Sequence, residues 1–285
     1  MRANPTNLEW IRLLSAVIDG GNRTSPRGFP CLELLTHQTM VSMRQPVVTV
    51  KERKIGYRFM VAEAWWILSG RNDLAAIEKY APKMGRFSDD GFGLDGAYGP
   101  KVVDQLRYCC DSLIGDNNTR QAVLNIWRER PQFSRDVPCT LSIQFLIREA
   151  GCKRYLTLVD TMRSSDVWLG IPYDWFSFSM LGAYVLLMIR EREKAMMDVE
   201  LGNLVVTAGS QHLYESNLPA ATEIINRRQE GNLQVKPLDL SEFSGPRDFL
   251  HHLEMLKDGH HTEHSWMTDV VHAAKLASEE ESSTK

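Results

Sequence analysis

The chain has 285 residues and is 43% hydrophobic, which suits one large domain or two small ones with a substantial core. A net charge of −3 excludes a global basic field for nucleic acid or an anionic membrane. The cysteines Cys31, Cys109, Cys110, Cys139 and Cys152 are odd in number and lack CxxC or Cys/His ligand spacing; with no apolar signal core in "MRANPTNLEWIRLL" and no bilayer-length apolar run, the expectation is a soluble, reduced, cytosolic-type protein without a disulfide framework or a metal site.

In chain order, "LEWIRLLSAVIDG" (8–20) has helical apolar spacing and stops at Gly20 and Gly21. The segment 20–30, "GGNRTSPRGFP", has the composition of a mobile loop. "LELLTHQTMVSM" and "PVVTV" read as short strands, the first with a helical alternative. "YRFMVAEAWWILSG" (57–70) is a strongly apolar helix, 88–100 a glycine-rich loop and 100–115 a further helix. "QAVLNIW", "TLSIQFLIREAG" and "CKRYLTLVDTMRSSD" are β-branched and aromatic, as strands are. "WFSFSMLGAYVLLMIRERE" is a long buried helix, "LGNLVVTAGSQHLY" a strand and "LPAATEIINRRQ" a helix. Residues 1–245 read as one domain, and 246–285 as a charged extension ending in a frayed tail. Helices and strands mix without strict alternation, so the class is α+β.

Several residues invite chemistry. Cys139, after Pro138 at the start of a strand, is either a buried structural cysteine or a nucleophile. Arg163 and Ser164 offer a guanidinium fork and a hydroxyl suited to phosphate, and Arg163 could also favour a neighbouring thiolate; the plain alternative is an ion pair with Asp166. Arg23 and Arg120 are further cationic candidates. His212 and Tyr214 share one side of an extended segment and could hold a sugar hydroxyl. Glu63 sits among apolar residues, where burial would raise its pKa, unless it reaches solvent from the helix face. Asp174 lies in "GIPYDWFSF", an apolar and aromatic run, so its carboxylate needs a partner that repays lost hydration.

Seven motifs in order, "RTSPRG", "AEAWWILSG", "GAYGP", "TRQAVLNIW", "PCTLSIQF", "RSSDVWLGIPYD" and "GSQHLYESN", make the chain resemble the thymidylate synthase family from about Arg23 to Asn217. The resemblance implies a three-layer fold with a large mixed sheet at a homodimer interface. It implies that Cys139 adds to carbon 6 of a pyrimidine nucleotide, that Glu63 organises water and proton transfers, and that Tyr98 stands near the proton-removal site. It assigns phosphate to Arg23, Arg163, Ser164 and the partner's Arg120, the ribose 3′-hydroxyl to His212 and Tyr214, and the base edge to Asp174. The co-substrate would be 5,10-methylenetetrahydrofolate, held by Asp166, Gly170, Tyr173 and Lys51. No membrane or nucleic-acid partner is implied, and the location would be cytoplasmic.

Departures from the family pattern point to the substrate. Asp174 stands where synthases carry asparagine, which donates to the 4-oxo group of uracil and accepts from its ring NH. A carboxyl that is ionised or shares a proton with ring nitrogen 3 suits cytosine, and protonating that nitrogen makes carbon 6 more electrophilic. Thr140, Met162 and Ser210 replace histidine, glutamine and aspartate, and with Asp174 they resemble the phage-type deoxycytidylate hydroxymethylases of the family. Met84 falls where synthases carry a shielding tryptophan, and the last residues lack an apolar, valine-ended closing segment, so water is expected to reach the intermediate. Gln121 replaces the second of two phosphate-site arginines, for which Arg128 or Arg27 could compensate. The expectation is therefore a dCMP 5-hydroxymethyltransferase. Its rivals are a CMP hydroxymethylase, a dCMP methyltransferase, a dUMP-using homologue, and a silent member that binds nucleotide or RNA.

Overall fold

The computed structural model describes residues 4–128, 133–227, 232, 235–264, 266–268 and 271. Helix α1 (Pro5–Gly20) starts at Asn4, whose side chain accepts from the Thr6 N–H, and Pro5 opens its first turn. Its apolar stripe buries Trp10, Leu13, Leu14 and Val17. Strand β1 (Asn22–Thr24) pairs antiparallel with β2 (Cys31–Ser42), so part of the segment expected to be a loop is a sheet edge. The strand expected at 46–50 does not form. Instead, polar side chains of α1 take the place of a neighbouring strand: Asn7 Oδ1 accepts from Thr49 N at 2.7 Å, and Asn4 Nδ2 donates to Val47 O at 3.1 Å. Val47, Val48 and Val50 are thereby buried without a ladder.

Helices α2 (Tyr57–Leu68), α3 (Leu74–Ile77) and α4 (Gly99–Gly115) follow. Then come β3 (Val123–Asn125), β4 (Thr140–Ala150), β5 (Lys153–Asp166), α5 (Ile171–Arg192), β6 (Val199–Tyr214), α6 (Leu218–Asn226) and α7 (Pro246–Lys257). One six-stranded sheet has the order β1-β2-β6-β5-β4-β3. Its β5–β6 pair is parallel and its other pairs are antiparallel, as a mixed sheet requires. The class is α+β, as expected.

Period-two alternation sends Ile143, Phe145, Ile147, Leu156, Leu158, Leu204 and Val206 to one face, where they are buried. Against that face lies α5, which is apolar almost all round and therefore central. Gly182 lets it sit close: a Cβ there would be 2.6 Å from Met43 Sδ and 3.1 Å from Leu158 Cδ1. Helices α2 and α7 pack on the far side of α5, completing sheet, helix and helix layers. The other face of the sheet leaves Met40 55% exposed.

The first part of the segment read as a charged extension is α7, whose Phe249, Leu253 and Leu256 are fully buried in the common core. The charge there is amphipathic patterning on the outer face. The sequence "ASEEESSTK" lies outside the described residues. Among the described residues no helix is long and apolar enough to cross a membrane.

Candidate active site

The site forms at one end of the sheet. The parallel register of β5 and β6 sets Asp166 opposite His212 and Ser164 opposite Ser210. Cys139 immediately precedes β4 and is fastened from two sides. On one side, the Tyr98 hydroxyl accepts from the N–H groups of Cys139 and Thr140, both at 3.2 Å. On the other, Arg163 Nε donates to Pro138 O at 2.9 Å and its Nη2 to Val137 O at 3.0 Å. That Nη2 stands 3.8 Å from Cys139 Sγ.

A cavity of about 170 Å³ opens beside the thiol. Its lining brings together Glu63 from α2, Met84, Tyr98, Asp136, Cys139 and Asp174 from the first turn of α5. Four residues from distant parts of the chain, Glu63, Tyr98, Cys139 and Asp174, expected to act together, therefore meet. Met84 shares their cavity, where the tryptophan was expected to be missing.

The cavity is acidic. Burial, then the Asp174 carboxylate, pushes Glu63 up to about 8. Burial, then Asp166, pushes Asp174 up to about 7. Both line the cavity and are otherwise enclosed by protein, so desolvation dominates. Burial also raises Asp136, whose Oδ2 accepts from Gly96 N at 2.7 Å. The Cys139 thiol is raised by burial, with the Arg163 guanidinium opposing and Asp174 adding to the rise. Arg27, on the turn before β2, also adds positive charge at the thiol.

These shifts carry a stability consequence. Raised carboxyls hold protons in the folded state that the unfolded chain releases near pH 4, so their stabilisation is complete below that pH and is lost as pH rises through 7 and 8. Each group loses up to roughly 4 kcal/mol between pH 4 and its folded value, of which about 2 kcal/mol for Glu63 and under about 1 kcal/mol for Asp174 falls between pH 6.5 and 8.5, where the thermal midpoint should drop. His252 is buried and pushed down to about 4, so it acts below this window, where stability falls as pH drops through its unfolded value. Thermal unfolding across pH 6.5–8.5 checks this: a Glu63→Gln, Asp174→Asn double variant should lose most of the slope.

Next to the cavity, Asp166 Oδ1 accepts from Trp168 N and Leu169 N, both at 2.8 Å, and Oδ2 makes neither bond. Gly170 is needed for close approach, since a Cβ there would lie 3.2 Å from Asp166 O and 3.3 Å from Asp174 Oδ2. Tyr173 packs edge-on to Phe59 at 5.1 Å, and its hydroxyl accepts from Gly56 N at 3.2 Å. His212 is buried and meets Tyr214 ring to ring at 5.1 Å. Arg23 is exposed and pairs with Glu215 at 3.4 Å. Arg120 is exposed and does not line the cavity; its carbonyl accepts from Gln144 Nε2 at 2.8 Å. Lys51 is exposed on a short turn, Lys51–Arg53. Arg128 is bound to Asp95 at 2.7 Å, which commits it to that loop.

Three residues escaped the sequence reading. Arg53 is buried, donates to Trp168 O at 3.0 and 2.6 Å and lies over the Trp168 ring at 5.0 Å. It lies two residues after Lys51. Asp136 stands three residues before Cys139. Asp160 is buried on β5, hidden in an ordinary strand pattern. A larger cavity of about 650 Å³ lies by Lys153, Arg190 and Glu200, at the opposite end of β5 and β6. It holds no cysteine, and Lys153 is paired to Glu200 at 2.6 Å. Among the described residues no group of His, Cys, Asp and Glu is placed to hold a metal ion.

Comparison with known proteins accords with this geometry. A deoxyuridylate hydroxymethyltransferase of Bacillus phage SP01 is 30% identical over 259 residues, covering 82% of this chain and 63% of the relative. The match thus spans less than two thirds of that protein's length. Residues 8–249 match thymidylate synthase over most of the chain, and the protein belongs to the thymidylate synthase family.

Proposed function

We propose that the protein is a pyrimidine nucleotide 5-hydroxymethyltransferase that acts on dCMP and takes its one-carbon unit from 5,10-methylenetetrahydrofolate. The observation that carries this reading is Asp174 in the same cavity as Cys139, Glu63 and Met84. Cys139 adds to carbon 6. Asp174 accepts from the 4-amino group and shares its proton with ring nitrogen 3, which draws electrons from carbon 6 as the sulfur attacks. Tyr98 holds the backbone of the nucleophile in place. Glu63, pushed up to about 8, is protonated at neutral pH and can give its proton to a leaving group; the carboxylate so formed can then take one from water.

The residues beside the cavity fit a folate. Tyr173 and Phe59 form an aromatic wall for a flat ring, Asp166 Oδ2 faces no backbone donor of its own turn, and Lys51 suits a carboxylate tail. The folate supplies the methylene carbon at the oxidation level of formaldehyde. Met84, smaller than an indole, lines a cavity that among the described residues holds no second tryptophan beyond Trp66, and its size supports capture of water in place of reduction to methyl. Arg163 and Ser164, with Arg23, would hold the phosphate, and Arg163 would then exchange its carbonyl bonds for phosphate oxygens. His212 and Tyr214 would hold the ribose. The half-exposed sheet face supports a homodimer in which Arg120 serves the partner's site.

A second reading, deoxyuridylate as substrate, is favoured by the SP01 relative's activity and by an Asp174 that is half protonated near neutrality. One incubation with methylenetetrahydrofolate and dCMP, CMP or dUMP separates the readings. The expected product by mass spectrometry is hydroxymethyl-dCMP, with no absorbance gain from dihydrofolate. Methylation with stoichiometric dihydrofolate would refute water capture, and exclusive use of dUMP would refute the cytosine reading.

A further inference from the structure

The core-facing residues of β5 are Leu156, Leu158, Asp160 and Met162, so Asp160 occupies a place the strand pattern reserves for an apolar side chain. It is 0% exposed, and neither carboxyl oxygen has a hydrogen-bond partner. Thr140, next to Cys139 on the neighbouring strand, is also 0% exposed with an unpaired hydroxyl. Ser177, one turn of α5 beyond Asp174, lines the cavity and is unpaired as well. The groups that act on Asp160 are the Asp174 carboxylate, which opposes its ionisation, and the neighbouring Thr140 hydroxyl, which favours it; no cation pairs with it among the described residues. A carboxylate there would be both desolvated and repelled, so Asp160 keeps its proton. An apolar residue would pack more favourably, which makes a retained acid a functional signal.

We propose that Asp160 is a positioning residue for Asp174: a neutral carboxylic acid buried on β5 outside the cavity lining which, with the hydroxyls of Thr140 and Ser177 and water ordered among them, holds the Asp174 carboxyl in register with the base. Ser177 lines the cavity, whereas Asp160 and Thr140 are buried outside its lining, and buried donors and acceptors of this kind form the environment that binds ordered water in protein interiors. Because Asp160 is neutral, it can donate to that network without raising the negative charge beside the nucleophile. The role rests on the reading of Asp174 as the base-recognising group.

The test is steady-state kinetics and thermal unfolding of Asp160→Asn and Asp160→Leu, on whichever nucleotide the wild type turns over best. Asparagine keeps a neutral donor and acceptor, and kcat/KM should stay within about 5-fold of wild type. Leucine should lower kcat/KM by roughly 30-fold or more while the midpoint of unfolding holds or rises. A purely structural role would move activity and stability down together. Wild-type kcat/KM in Asp160→Leu, or equal loss in both variants, would overturn the proposal. Should the leucine variant fail to fold, Thr140→Val decides, with a loss of about 10-fold expected and wild-type activity refuting the network. Failure of the base reading shows separately, as wild-type indifference between cytosine and uracil.

Discussion

Cys139→Ala should abolish turnover, by roughly 10⁴-fold or more, while leaving the fold intact. The thiol makes one weak polar contact, at 3.8 Å from Arg163, so its removal costs little stability. No other cysteine can substitute. Cys31, Cys109 and Cys110 are buried, and Cys152 lies in the β4–β5 turn, at the far end of the strand that Cys139 precedes. At about 3.4 Å per residue, that is roughly 35 Å away. A second readout isolates the addition step from folate chemistry. Attack at carbon 6 makes carbon 5 basic, so wild type incubated with nucleotide in deuterated water should exchange the carbon-5 hydrogen, and Cys139→Ala should not. Exchange at the wild-type rate in the variant would end the covalent reading, whatever happened to turnover. Stability is read in parallel by thermal unfolding, where a shift of more than a few degrees would mean the backbone around Tyr98 had been disturbed.

The long elements were legible because their periodicity is local. Alternation over 140–150 and 153–166, and the all-round apolarity of 171–192, leave few other structures for those residues. What escaped depended on partners distant in sequence. Val47 to Val50 look like a strand, yet their partners are asparagine side chains some forty residues earlier on α1. The helix at 246–257 looks like charged surface until α2 and α5 are present to receive Phe249 and Leu253. Tertiary context outweighs local composition in both cases.

The site divides in the same way. Cys139, Arg163 and Asp174 were readable because each sits in a short motif whose residue types serve one chemistry. Their convergence with Glu63 and Tyr98 was expected from the resemblance, and the cavity brings Cys139, Glu63, Tyr98 and Asp174 together. Arg163 carried three readings: phosphate ligand, thiol neighbour and ion-pair partner of Asp166. Its guanidinium lies on the carbonyls of Val137 and Pro138 beside Sγ, the geometry of the second. Asp160 and Asp136 were missed for the opposite reason: a carboxylate in a strand or loop is ordinarily solvated, and only burial marks it.

Asp174→Asn should move the ratio of kcat/KM for dCMP over dUMP toward uracil by roughly 10²–10⁴-fold. Hydrogen-bond pattern alone gives only part of this. A side-chain amide can rotate to present donor and acceptor in either order, so asparagine can bind either base edge. A proton is what it cannot supply. Asp174 is pushed up to about 7, close to the pH at which the enzyme would work, so it can pass a proton to ring nitrogen 3 and take it back. For cytosine that proton activates carbon 6, and its loss should appear mainly in kcat. Uracil carries its own N3 hydrogen and needs only a donor at the 4-oxo group, which asparagine provides at every pH. In wild type, only the protonated form of Asp174 provides that donor. Wild-type activity on dUMP should therefore fall as pH rises through about 7, whereas Asp174→Asn should use dUMP without that limb. The measurement is kcat and KM for both nucleotides from pH 6 to 8.5, in both proteins. If the variant lost activity on the two bases in parallel, Asp174 would be a structural acid near the nucleophile and not the group that reads the base.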